Sequence, residues 1–195
     1  MLPILALLLT GALAAPASPL DPIPDPEPEC PRARWLIPRL DVHFMSDKPG
    51  IPGMGDWPLG SGFNSTIDFD VQFGNATAVC KGAWPKGKLD QGTYRCEIVG
   101  ADGTGEEEVS FKMAGWRETG EKTPEASFRL NVVRSEVGSG KQFDGSTNIT
   151  ANNPAEPTSY LTCILGAPFD GIRCNLHSYM SVRDKDLVID AQATC

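Results

Sequence analysis

The sequence predicts an all-β fold, a single antiparallel β-sandwich or β-barrel domain stapled by disulfides. Three observations lead there. Apolar and polar residues alternate with a period of two through much of the chain, the mark of strands with one buried face. No segment of helical period competes with them, and 20 glycines and 17 prolines punctuate the runs at the spacing of an antiparallel sandwich or barrel. Six cysteines stand behind an export signal, where disulfides are the default.

That signal occupies residues 1–15. An apolar core from Leu2 to Leu9 is followed by Ala12-Leu13-Ala14, a small-residue pattern that a signal peptidase cuts. The run breaks at Thr10 and Gly11, short of the about 20 apolar residues that span a bilayer. The chain is therefore expected to be secreted and extracellular, with no membrane partner. Residues 16–29 form a Pro-rich acidic leader, extended and solvated, that carries Asp21, Asp25, Glu27 and Glu29 and no base. The whole chain has a net charge of −8 from 17 bases and 25 acids. Without the four leader acids, residues 30–195 hold 21 acids against 17 bases, or −4. One core suits a domain of this size. No basic run occurs, which argues against a nucleic-acid partner.

Each strand of that domain follows from parity. Phe63, Ile67, Phe69, Val71 and Phe73 share one parity while Asn64, Thr66, Asp68, Asp70 and Gln72 share the other, so residues 63–73 predict a half-buried strand. Before it stand Leu40, Val42 and Phe44, with Trp35 at the strand head as a core residue. After it come a short apolar run at 76–80; Tyr94, Cys96 and Ile98; Val109, Phe111 and Met113; and Phe128, Leu130 and Val132. A second apolar run at 160–165 precedes Ile172, Cys174 and Leu176, and Leu187, Ile189 and Ala191 close the series. Residues 46–60, 114–124 and 135–159 read as long connections, the usual seat of recognition in a compact β domain.

Local geometry narrows the cysteine pairing. Cys80 and Cys96 flank a polar, Gly- and Pro-containing loop at 81–92, and Cys163 and Cys174 flank Gly166-Ala167-Pro168-Phe169-Asp170-Gly171. Each pair closes a hairpin and, by loop entropy, contributes about 3 kcal/mol. Cys30 and Cys195 remain. Either they tie the two ends of the domain together, for roughly 5 kcal/mol, or Cys30 bonds to a partner chain, so monomer and homodimer both stay open. Asn64-Ser65-Thr66, Asn75-Ala76-Thr77 and Asn148-Ile149-Thr150 are glycosylation sequons, and Asn64 has the outward parity of its strand.

Reactive chemistry is scarce. With two histidines and no HExxH, CxxC or calcium-loop pattern, no metal or cofactor is expected. Cys174 and His177 lie three apart on a strand and so point to opposite faces. Asp68 with Asp70, and Asp184 with Asp186, lack the further oxygens of a calcium site. Asp41 and His43 share a strand face, the orientation in which a carboxylate positions an imidazole, but no nucleophile motif accompanies them. The expectation is that the protein is not an enzyme. Trp57, Trp84 and Trp116 lie in predicted loops, which makes them candidate binding residues, because indole offers a large rigid contact area with a polar handle. The structural alternative is that each ring caps an end of the core.

The pattern resembles the Alternaria major-allergen family of secreted fungal β-barrel proteins, including its plant-pathogen elicitor relatives. The residues that carry the resemblance are Cys30 ahead of Trp35-Leu36-Ile37, an alternating strand leading to Cys80, and Tyr94-Arg95-Cys96 some fifteen residues on. Phe128-Arg129-Leu130-Asn131-Val132 and the close pair Cys163 and Cys174 follow. What the resemblance implies is a non-enzymatic effector or elicitor, or an allergen-like protein, that recognises host defence proteins outside the cell. In that family the cysteine matching Cys30 can link two subunits; Cys195 is an addition here, as are longer loops at 45–60 and 135–159. The rival expectation is an extracellular carbohydrate- or small-ligand-binding module with the loop tryptophans stacking on its ligand.

Overall fold

The computed structural model describes residues 30–89, 92–100, 107–116, 123–176, 180–181 and 185–195. The signal expected at 1–15 and the leader expected at 16–29 lie outside them. Ten strands occur among the described residues: β1 (Arg32–Phe44), β2 (Ser65–Phe73), β3 (Ala76–Trp84), β4 (Thr93–Val99), β5 (Glu107–Gly115), β6 (Ser127–Glu136), β7 (Gln142–Ala151), β8 (Ser159–Leu165), β9 (Ile172–Leu176) and β10 (Leu187–Ala193). A single 3-10 turn, Pro124–Ala126, leads into β6.

The strands form one sheet that closes on itself. β1 to β7 pair antiparallel in chain order, and two routes then lead from β7 back to β1. At the lower end, where β1 begins, β10 fills the gap: Ala191 faces Gly145 on β7 and Ala33 on β1. At the upper end, β8 pairs parallel with β7, β9 pairs with β8, and β9 returns to Asp41–Phe44 of β1. β1 is thus shared by β2, β10 and β9. Its 13 residues reach both closures only because it changes phase midway. The buried set is Trp35 and Ile37, then Leu40, Val42 and Phe44, with a register shift between Leu36 and Arg39. Pro38 sits at that bulge, where a missing N–H costs the ladder nothing.

Inside the barrel the alternation of the sequence becomes a packed core. Ile67, Phe69, Val71, Val109, Phe111, Phe128, Leu130 and Ile149 are all essentially inaccessible, each contributing about 1.5–3 kcal/mol by burial. Phe69 meets Phe111 edge to face with ring centroids 4.8 Å apart, and Tyr94 stacks on Phe111 at 5.1 Å. Trp35 is in this core as expected. At the lower end Arg134 lies over the Phe73 ring at 4.8 Å and pairs with Glu107.

Two expectations need correction. Residues 135–159 are not one connection, because β7 crosses them. Its inward set is Phe143, Gly145, Thr147, Ile149 and Ala151, too poor in large apolar side chains to read as alternation. Gly145 explains the gap: it faces Val132 on β6 and Ala191 on β10, and a Cβ there would stand 2.4 Å from Ile189 Cγ2 and 3.0 Å from the Ala191 Cα. The absent side chain is what lets β10 approach β7. Likewise, the loop expected at 81–92 starts later. β3 continues to Trp84, with Gly82 as the inward residue that concealed the parity; a Cβ on Gly82 would meet Phe111 and Tyr94 at 3.0–3.1 Å.

Three disulfides are formed, Cys80–Cys96, Cys163–Cys174 and Cys30–Cys195. The first two join residues directly opposite each other in the β3–β4 and β8–β9 ladders. The third resolves the open choice for Cys30 within the chain. Non-reducing peptide mapping is expected to return these three bridges, and a Cys30-linked covalent dimer would contradict the pairing. Gly145→Ala is expected to lower stability by about 1–3 kcal/mol through overpacking, read as a fall in the urea midpoint with the β-type circular dichroism retained.

Candidate functional site

The upper end of the barrel gathers the aromatic residues that the core does not use. The connection 45–64 leaves β1 and folds over beside the β8–β9 hairpin tip, residues 166–171. Trp57 anchors the first of these. Its indole Nε1 donates to the Ser46 carbonyl at 2.8 Å, and the Lys86 Nζ reaches the same carbonyl at 3.4 Å and Asp47 Oδ1 at 3.3 Å. The ring is half-buried, with edge-to-face contacts to Phe63 at 5.8 Å and Phe169 at 6.0 Å. Phe63 in turn stacks on the His43 imidazole at 4.7 Å. Four rings on three separate segments therefore form one continuous cluster.

The hairpin tip is built to hold its part of this cluster. Phe169 has φ +67, a backbone conformation that a bulky residue rarely adopts, and its ring remains 41% exposed. Hydrogen bonds from the Phe169 N–H to the Pro49 carbonyl (2.8 Å) and from the Asp170 N–H to the Ala167 carbonyl (2.9 Å) enforce it. Gly171, at φ +76, could not be another residue: a Cβ would lie 2.4 Å from the Phe44 carbonyl oxygen and 2.7 Å from the Phe63 ring. Strain held this way is characteristic of sites that present a side chain. Leu165, 58% exposed, flanks the tip and comes close to Gly50. A grouped apolar exposure of this kind is informative where a single one is not.

Charge in the site is balanced locally. Arg173 donates Nε and Nη2 to the two Asp170 carboxylate oxygens, both at 2.7 Å, and Asp170 Oδ1 is 3.6 Å from His43 Nε2, which also contacts the Asp170 carbonyl. The paired hydrogen bonds from Arg173 hold the Asp170 carboxyl below its ordinary range; partial desolvation opposes them, and the charges of Arg173 and His43 add to the effect. Asp170 raises the Arg173 guanidinium correspondingly.

The three tryptophan candidates separate here. Trp57 belongs to the cluster. Trp84 does not: it is 2% exposed, packed inside the upper end opposite Ser65, and so is a core residue and not a binding residue. Trp116 lies just past β5, half-buried, its N–H bonded to the Ser127 carbonyl at 3.0 Å. β5 is across the ring from β1, so Trp116 stands apart from the other rings. Asp41 and His43 do share the outer face of β1, but Asp41 turns to Arg39 at 3.1 Å and His43 to Asp170. Arg39 also binds Asp70 through Nε (3.2 Å) and Nη2 (2.9 Å) and Asp68 at 2.6 Å, so one guanidinium bridges three carboxylates of the outer face and is held charged by Asp70 first and Asp68 next.

Among the sequons, Asn64 and Asn75 are exposed, the latter in the β2–β3 turn, while the half-buried Asn148 accepts a hydrogen bond from Arg129 Nε at 3.0 Å. Every cysteine is paired, and no group of three or more His, Cys, Asp or Glu among the described residues could hold a metal. His177 and Asp184 lie outside the described residues. No helix among the described residues is long and apolar enough to cross a membrane. Sequence reasoning missed Phe63, taken as a strand residue, and Phe169, Asp170 and Arg173. The available signal was an aromatic residue between proline and Asp-Gly, framed by a cysteine pair. Comparisons with family models, with curated proteins and with solved structures find no match.

The depressed Asp170 carboxyl gives this tip a pH dependence. Its contribution is fully present above the ordinary aspartate range, about pH 3.9, and is lost as pH falls through the lower folded value. In an amide NMR titration the Phe169 and Gly171 signals are expected to move with a midpoint below that of a free aspartate, and Arg173→Gln is expected to bring the midpoint back up.

Proposed function

We propose that this protein is an exported, non-enzymatic recognition protein of the fungal effector or elicitor kind, which engages host extracellular proteins through the aromatic end of its barrel. One observation carries the proposal: Trp57, Phe63 and Phe169 are locked into a single cluster by hydrogen bonds and by a positive-φ residue, and part of that cluster faces solvent. Rigid aromatic groups of this kind supply most of the energy in protein interfaces, because their burial costs little conformational entropy. The sheet beneath them is closed and braced by disulfides, so the end loops are presented on an unyielding base. The apolar secretory signal and the resemblance of the cysteine framework to the Alternaria major-allergen family support the same reading.

The test is capture of host proteins from leaf apoplastic fluid on the immobilised mature chain. Trp57→Ala and Phe169→Ala are each expected to weaken capture by about tenfold or more, the loss typical of an interface hot spot, with circular dichroism unchanged. Trp116→Ala, on the far side of the same end, is expected to leave capture intact. Equal capture by all three variants would remove the aromatic end from the function.

A further inference from the structure

Beside the aromatic cluster, on the outer face of the barrel, strands β2, β1 and β9 enclose a depression of about 370 Å³ lined by Asp41, His43, Thr66, Asp68, Arg173 and Asn175. These residues form two rows across the sheet. Asp68, Asp41 and Asn175 are direct neighbours in one, and Thr66, His43 and Arg173 in the next. The volume falls in the lower part of the range for small-ligand sites.

We propose that this depression binds a pyranose unit of a neutral polysaccharide. The first argument is charge. Asp41 and Asp68 face each other directly, an arrangement that is destabilising alone, but Arg39 bridges both and Lys81 approaches Asp68 at 3.6 Å. Arg173 is matched by Asp170. Arg39 also holds Asp70, so four carboxylates (Asp41, Asp68, Asp70 and Asp170) stand against three cations (Arg39, Lys81 and Arg173): the remaining negative charge repels an anionic ligand, and every one of these carboxylates already has a cation beside it.

The second argument is the hydrogen-bonding capacity that these ion pairs leave over. Arg173 uses Nε and Nη2 on Asp170, leaving Nη1 as a donor. Asp41 uses Oδ2 on Arg39, leaving Oδ1 as an acceptor. Among the described residues the Thr66 hydroxyl and the Asn175 amide make no side-chain hydrogen bond, and each offers both a donor and an acceptor. Carboxylate or phosphate ligands would call for donors only, and a metal ion for acceptors only. A mixed set, with Asp41 and Arg173 held by charge pairs and Thr66 and Asn175 left open beside them, suits hydroxyl groups that donate and accept at once. His43, at the margin, connects the depression to the Phe63 and Trp57 rings, where the apolar face of a neighbouring sugar has a surface to lie on.

The experiment is isothermal titration of the mature protein with cellotetraose, xylotetraose, mannotetraose and chitotetraose, and with trigalacturonic acid as the charged comparison. At least one neutral oligosaccharide is expected to bind. Thr66→Val and Asn175→Ala, both exposed on the outer face, are each expected to weaken that binding by about five- to tenfold, the loss of one or two hydrogen bonds, with unchanged melting temperatures. Three results would overturn the proposal: no neutral oligosaccharide bound at about 10 mM, a weak limit near 3 kcal/mol of binding free energy; binding unaffected by both substitutions; or preferential binding of trigalacturonic acid. None of them bears on host-protein capture, because the substituted residues lie outside the Trp57, Phe63 and Phe169 cluster.

Discussion

The structure depends on the double use of β1. A single 13-residue strand accepts β2 along one side and divides its other side between β10 and β9. Without the bulge at Pro38, the strand would keep one phase, and either Trp35 and Ile37 or Leu40, Val42 and Phe44 would face water. Losing two or three such burials costs several kcal/mol, comparable with the whole net stability of a domain. The bulge therefore decides whether the ring can close at both ends, and closure removes the free edges through which sheets otherwise aggregate.

The upper end inherits its order from that closure. β9 places Arg173 beside His43, the hairpin tip brings Phe169 and Asp170 back over the end of β1, and Gly171 passes against Phe44 with no room for a side chain. The connection after β1 then has a fixed surface to settle on, and Trp57 reaches Phe63 and Phe169 only because Ser46 holds its indole. The proposed recognition residues are positioned by backbone contacts between sequence-distant segments. The outer face of β1 and β2 is organised by charge instead, with Arg39 as its centre.

What was legible in the sequence was whatever large inward side chains announce. The strands bearing Phe69, Phe111 and Leu130, the barrel or sandwich class and the two hairpin disulfides all follow from parity and spacing. β7 was not legible, because its inward positions include Gly145 and Thr147, and the same substitution of space for bulk at Gly82 hid the end of β3. The assignment of Trp84 to a loop follows from that second omission. The site was only partly legible: Trp57 stands out by residue type, whereas Phe169 and Arg173 gain meaning from a positive φ and a cross-strand neighbour, neither of which has a one-dimensional signature.

The two return routes from β7 to β1 share no strand except those they connect. β10 seals one half of the wall and β8 with β9 seals the other, so each is a separate seam with its own hydrogen bonds. The ladder of the upper seam is short, Thr150 with Ser159 and Ala151 with Leu161, but Asn152 just past β7 extends it: its N–H donates to the Leu161 carbonyl at 3.0 Å, its side-chain amide donates to the Cys163 carbonyl at 2.8 Å, and its Oδ1 accepts from the Cys163 N–H at 2.8 Å. One asparagine thus supplies, from just beyond the end of β7, the bonds that the short parallel ladder leaves out, and keeps the half of the wall that displays the rings fastened to the rest.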